Sequence, residues 1–188
     1  MSITFGTLPP QTKYITNNLI IGARQGLSGL RQLRNEEAVT QIIDLRSAKD
    51  LKKLNEFLLC KALGLRYESY PLELMNKTPL RPQILENISN SIQKNQDGRT
   101  FVHCNSGRHR SLFIAAMEEF KNGNIKTFDD FKEFLHNGDF YKLRKKVKYG
   151  IKFNLTPEDI RFRTENLNFQ KDNFWEILNS RVNMDRKL

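Results

Sequence analysis

The chain has 188 residues, with 31 Lys and Arg against 21 Asp and Glu, a formal net charge of +10. Its two cysteines exclude the disulfide framework of a small secreted domain, its apolar share of 38% excludes a wholly disordered chain, and no apolar run approaches the ~20 residues that would span a bilayer. The positive balance favours anionic partners: phosphorylated molecules, nucleic acid or an acidic membrane face.

The opening stretch MSITFGTLPPQTKY has no basic region followed by an apolar one, so it does not read as a secretory signal, and a reducing cytoplasm is the expected compartment. Leu19 to Gly22 (LIIG) reads as a short strand closed by glycine, and Val39 to Leu45 (VTQIIDL) as a buried strand with a charged exit. Lys49 to Leu63 has apolar residues at 51, 54, 58 and 62 with Gly64 beyond, which predicts a helix with a glycine stop. Leu65 to Tyr70 alternates as a strand that Pro71 ends.

Pro82 to Lys94 predicts a helix with Ile84, Leu85, Ile88 and Ile92 on one face, and Asp97-Gly98 a turn. Thr100 to His103 reads as a strand, Leu112 to Phe120 as a helix ended by Gly123, and Asp129 to Leu135 as a helix that Thr127 starts. Thr156-Pro157-Glu158 reads as a further helix start, and Asp172 to Leu178 as one more short helix. Strands alternating with helices up to residue 104 predict an α/β fold, a central, mostly parallel sheet flanked by helices. The expected core domain covers 1–150, and 151–188 is expected as a helical extension packed on it through Phe153, Phe162, Phe169, Phe174 and Trp175.

The segment with chemical potential is His103-Cys104-Asn105-Ser106-Gly107-Arg108-His109-Arg110-Ser111, between a predicted strand and a predicted helix. A loop in that setting turns its N–H groups inward at the positive end of a helix, a nest suited to a phosphate dianion. Gly107 permits the backbone turn. The same N–H groups and Arg110 would hold Cys104 as a thiolate, a strong nucleophile at neutral pH. Arg110 would clamp two phosphate oxygens, Ser111 would hydrogen-bond the sulfur as it leaves, and His103 would orient the loop. No His, Cys and Asp cluster has metal-ligand spacing in the sequence, so no metal or cofactor is expected.

HCNSGRHRS resembles the His-Cys-x-x-Gly-x-x-Arg-Ser/Thr signature of the protein tyrosine and dual-specificity phosphatase superfamily, and LIIGA and IIDLR resemble early strands of its smaller members. The resemblance covers residues 14 to 150 and implies a dual-specificity-phosphatase-like sheet and a two-step reaction through a cysteinyl-phosphate. It also implies a general acid, usually Asp, about thirty residues before the cysteine. The corresponding stretch, Tyr70-Pro71-Leu72-Glu73-Leu74-Met75-Asn76, contains no Asp, and Glu73 is its carboxylate. His109, Asp129 and Asp130 are the other donors within reach of the argument, and a good leaving group, as in the related RNA 5′-triphosphatases, needs none.

Asn105, Ser106, Arg108 and His109 fill the variable positions of the phosphate-binding loop. Relatives acting on inositol phosphates or phosphoinositides carry basic residues at such places, so both phosphoproteins and inositol phosphates or phosphoinositides stand as substrates. Nucleic acid is a less favoured partner, and the basic run Lys142 to Lys148 offers peripheral contact with an acidic membrane or reads as a solvated helix face. Some relatives pair a second cysteine with the nucleophile. Cys60, among Leu58, Leu59 and Leu63, is expected in the core instead. Arg46 reads as an anchor of the strand end. Two competing readings are a rhodanese-type sulfurtransferase, whose Arg would fall one residue earlier, and a non-catalytic phosphate-binding module, for which an intact Cys104 has no use.

Overall fold

The computed structural model describes residues 8–47, 50, 52–72, 80–107, 109–137, 168–169 and 171–180. The Asn17-Asn18 turn joins β1 (Thr12–Thr16) to β2 (Leu19–Ala23) as an antiparallel hairpin, the pairing that a two-residue Asn-rich loop favours. β3 (Val39–Asp44), β4 (Arg66–Ser69) and β5 (Arg99–Cys104) complete a sheet of order β1-β2-β5-β3-β4, in which every pairing except β1 with β2 is parallel. β2 and β5 are buried almost end to end, as interior strands of a covered sheet are. The expected mostly parallel sheet, flanked by helices, is the observed one. β1 and the helix α1 (Leu27–Glu36) were not among the predicted elements; α1 starts at Gly26 without a side-chain cap and carries Gly29 inside, two features that hide a helix from pattern reading.

The chain divides into two compact units, Met1–Leu72 with Ile84–Ser111, and Glu73–Gln83 with Leu112–Leu188. In the first, Ile20, Leu30, Leu33, Val39, Ile42, Cys60, Leu65 and Phe101 form one apolar cluster, so Cys60 lies in the core as expected. The helix α3 (Pro82–Lys94) has the predicted bounds and meets the sheet through polar groups as well. Gln41 donates to Glu68 at 3.0 Å and to Ser91 at 2.5 Å, and accepts from the Thr100 hydroxyl at 2.9 Å, while Asn95 donates to Thr100 at 3.0 Å. Each buried polar atom in this set has a partner, which avoids the ~1–3 kcal/mol cost of leaving one unmatched.

The helix α2 (Lys52–Ala62) corrects the sequence reading in orientation. Of its expected apolar face, Leu54 and Leu58 are exposed, at 64% and 52%, and Phe57 beside them at 43%, whereas Glu56 is buried with Cys60. The helix is turned so that a carboxylate, four residues before Cys60, faces inward; its partners are described below.

In the second unit, α4 (Arg110–Lys121, its first two residues in the first unit), α5 (Phe128–Asn137) and α6 (171–180) pack through aromatic rings. Phe174 meets Phe113 at 4.8 Å and Phe131 at 5.8 Å between centroids, and Trp175 meets Phe131 at 5.6 Å and, edge-on, Phe120 at 5.8 Å. Thr127 and Asp130 cap α5 reciprocally: the Asp130 N–H donates to the Thr127 hydroxyl at 3.1 Å and the Thr127 N–H to the Asp130 carboxylate at 2.8 Å. The helix start at 156–158, the basic run 142–148, Phe153 and Phe162 lie outside the described residues.

Phe174 is fully buried. Phe174→Ala should therefore destabilise the protein by about 3–5 kcal/mol, read as a lowered urea midpoint; an unchanged midpoint would mean that α6 does not hold the three-helix packing.

Candidate active site

The parallel register fixes the site. Ala23 pairs with Cys104 and Asp44 with His103, so β2, β5 and β3 end level, with β5 between its two parallel neighbours. In open α/β sheets this carboxyl edge is where ligands bind. Residues 105–109 turn the chain from β5 into α4. Gly107 has φ +67°, and a Cβ there would lie 2.5 Å from the Ala23 nitrogen and 2.6 Å from the Gly22 carbonyl carbon. Both the left-handed conformation and the close approach of two backbones demand glycine. A single antiparallel bridge from Ala23 to Ser106 ties the loop to the end of β2.

Cys104 keeps 1% of its surface exposed, yet its sulfur is not sealed in hydrocarbon. The Ser111 hydroxyl lies 3.6 Å from Sγ. Burial alone would raise the thiol pKa; the Ser111 N–H, the Arg110 guanidinium, the Ser111 hydroxyl and the His109 N–H outweigh it and hold the thiol below its ordinary range. Arg110 is anchored by an Nη1 donor to the Leu45 carbonyl at 2.9 Å, which ties the guanidinium to the end of β3 beside the loop. Ser106, Gly107 and His109 are half-buried and Asn105 is exposed; Arg108 and Glu73 lie outside the described residues.

Beneath the loop sits a cluster of ionisable groups that sequence reading did not assemble. Asp44, Arg46, Glu56 and His103 are all buried. Arg46 donates through Nε to Asp44 Oδ1 at 3.0 Å and through Nη2 to Asp44 Oδ2 at 2.9 Å, and Nη2 also bonds Glu56 Oε2. The anchoring role expected of Arg46 is thus met, with Glu56 as an added partner. Asp44 titrates at about 2: burial pushes it up, but Arg46, His103 and the Tyr67 hydroxyl at 2.6 Å prevail. His103 stacks on Phe101 and its Nδ1 lies 3.2 Å from the Cys104 carbonyl oxygen.

Asp44, Glu56 and His103 bring possible metal-ligating atoms within 4.8 Å of one another, a grouping that no spacing in the sequence announces. The Arg46 guanidinium occupies the place of a cation there, bonded to both carboxylates. The donor set already holds a cation bonded to both carboxyl groups and does not fit a metal ion.

Of the other proton donors considered, Asp130 is committed to capping α5 and Asp129 pairs with Lys132 at the surface. Cys60 titrates at about 12, raised by burial and then by Glu56 and Asp44, and so stays a thiol.

No protein-family model matches the sequence, and no curated protein does. Among solved structures, the chain is similar to the core catalytic domain of the PP-IP phosphatase SIW14 from S. cerevisiae, at 15% identity and a TM-score of 0.60 over 87% of this chain and 96% of that one. It is similar to a cysteine-substituted form of P. aeruginosa TpbA in complex with pTyr, at 13% identity and a TM-score of 0.57 over 90% of each chain. It is also similar to PTPMT1 in complex with PI(5)P, at 18% identity and a TM-score of 0.57 over 92% of this chain and 99% of that one. At these identities the likeness establishes the fold alone, the sheet and helices that these phosphatase structures share. Among the described residues no helix is long and apolar enough to cross a membrane.

Gly107→Ala should cost roughly 1–2 kcal/mol for the left-handed backbone alone, with the clash against Ala23 added. The expected result is a lower thermal midpoint together with slower alkylation of Cys104 by iodoacetamide near neutral pH. Wild-type alkylation in this variant would show that the loop does not depend on Gly107.

Proposed function

We propose that the chain is a cysteine-dependent phosphomonoester hydrolase, with Cys104 as nucleophile and Arg110 as phosphate clamp. The observation that carries this reading is a buried thiol held below its ordinary pKa by N–H, hydroxyl and guanidinium donors at a strand–helix turn. A sulfur that only filled space would have no need of them.

In the first step the Cys104 thiolate attacks phosphorus and the ester P–O bond breaks. The electron pair leaves with the oxygen, which takes a proton from the general acid. Glu73 is the acid this reading assigns. Arg110 and the amides of residues 105–110 stabilise the charge spread over the equatorial oxygens. In the second step water attacks the cysteinyl-phosphate, inorganic phosphate forms and the thiolate departs, its charge eased by the Ser111 hydroxyl. Residues 1–150 would carry this chemistry and 151–188 would serve as the helical extension, in a reducing compartment such as the cytoplasm.

The substrate class is a phosphoprotein, at phosphotyrosine or phosphoserine, or an inositol phosphate or phosphoinositide. The ligands and activities named for the similar structures, PP-IP, pTyr and PI(5)P, support both arms, and the charge of +10 suits either polyanion.

The test is hydrolysis of p-nitrophenyl phosphate, phosphopeptides, inositol phosphates, phosphoinositides and triphosphorylated RNA. Wild type should turn over at least one of the phosphomonoesters. Cys104→Ser should lose about 10⁴-fold or more while still binding phosphate, and Arg110→Lys about 10²-fold. Turnover in Cys104→Ser equal to wild type would end the reading. So would phosphate binding without turnover, and so would sulfur transfer from thiosulfate with no ester hydrolysed.

A further inference from the structure

Helix α2 turns Leu54, Phe57 and Leu58 outward and Glu56 inward beside Cys60, an arrangement that its hydrophobic pattern does not ask for. Glu56 Oε2 bonds Arg46, whereas Glu56 Oε1 lies 3.2 Å from His103 Nε2. These two facing atoms are both buried, and neither has any other hydrogen-bond partner among the described residues.

The other ring nitrogen settles the protonation. His103 Nδ1 lies 3.2 Å from the Cys104 carbonyl oxygen, which can only accept, so Nδ1 carries the hydrogen. In a neutral ring Nε2 is then a lone pair pointing at a carboxylate oxygen, a repulsive contact unless a proton lies between them. We propose that Glu56 and His103 hold one proton between Oε1 and Nε2, making Glu56 a positioning residue that fixes the His103 tautomer and, through it, the carbonyl of Cys104.

The surrounding charges pull both ways, and burial decides. Asp44 and Arg46 cancel, so the pair with its proton leaves the cluster neutral and without it leaves a net buried negative charge. Arg46 and Arg24 favour the ionised Glu56 while Asp44 and Asp50 oppose it; Asp44, its Oδ1 4.0 Å from Nε2, favours the His103 imidazolium while Arg46 and Lys53 oppose it; and Tyr67 donates to Asp44. Burial raises Glu56 to about 7 and lowers His103 to about 4. Both directions place the proton on the carboxyl: Glu56 O–H donates to Nε2, and Nδ1–H donates to the Cys104 carbonyl. The two bonds form one chain from α2 to the start of the phosphate-binding loop. As pH rises through about 7 the proton leaves and the chain breaks. A raised Glu pKa contributes stability that is present in full below the unfolded value near 4.5 and is lost as pH rises through 7, so this contribution fades on the alkaline side.

The consequence for Cys104 rests on the function proposed above, but the shared proton does not, and the test needs no phosphate ester. Full-length wild type, Glu56→Gln and Glu56→Leu are labelled with ¹⁵N-histidine and followed by two-bond ¹H–¹⁵N NMR against pH; His103 is assigned by its loss in His103→Asn. Alkylation of Cys104 by iodoacetamide is measured alongside. In wild type, His103 should show the Nδ1–H tautomer between about pH 5 and 6 and change near 7. In Glu56→Gln a carboxamide N–H replaces the acid O–H, so the same tautomer should persist without a transition, with alkylation at pH 6 within about twofold of wild type. Glu56→Leu should alkylate about tenfold slower or worse. An Nε2–H tautomer or an imidazolium in wild type over that range would overturn the proposal, as would tenfold slower alkylation in Glu56→Gln. Should Glu56→Leu fail to fold, the wild-type tautomer and the Gln variant still decide.

Discussion

A buried thiol stays protonated unless donors favour its thiolate, and Cys104 is the place where this chain supplies them. Burial by itself would keep the thiol protonated. The donors that oppose burial and lower its pKa come from one short stretch: the amides of His109 and Ser111, the Ser111 hydroxyl and the Arg110 guanidinium. They converge only because the chain passes from a buried strand into a helix within a few residues, and that passage is possible only with glycine at 107, pressed against Gly22 and Ala23. The sheet, whose register levels β2 with β5, is the frame that makes this press fit.

The same demand recurs one layer below, with the opposite solution. Two carboxyl groups and an imidazole lie buried next to each other, and there the charge is removed instead of stabilised by a ligand. Arg46 neutralises Asp44, and the Glu56–His103 pair stays neutral by keeping a proton. Replacing Asp44 by an apolar group would leave Arg46 with unmet donors, and the loss of one partner of a buried ion pair typically costs about 3–5 kcal/mol. The cluster is therefore tied together as one unit, and helix α2 is oriented by it more than by its leucines.

Much of the fold was legible in local pattern. β2, β3, β4, β5, α3, α4 and α5 lie where runs of β-branched residues, helical spacing and glycine stops indicate. The His103 to Ser111 segment also reads directly, because its chemistry depends on neighbours in sequence. The misses have physical causes. α1 lacks a cap side chain, and β1 is an edge strand whose half-buried residues leave little alternation to detect. The burial of Glu56 on α2 is not legible, since apolar periodicity assumes that the core rewards hydrocarbon and here it also rewards a carboxyl group. The cluster under the loop joins residues 44, 46, 56 and 103 through strand register and helix rotation, neither of which spacing encodes.

The partition of cations between the two layers bears on what the site can bind. Among the described residues Arg46 is tied to carboxylates, while Arg110 is anchored by a backbone carbonyl. A carbonyl dipole fixes a guanidinium without cancelling its charge, whereas a carboxylate would compete with any incoming phosphate for the same donors. Had Asp44 or Glu56 reached Arg110, the loop would have lost most of its attraction for a dianion. By bonding both carboxyl groups, Arg46 leaves the charge of Arg110 uncancelled. For the phosphate binding proposed above, the strength of the loop would then depend on Arg46, a residue bonded to the carboxyl groups instead.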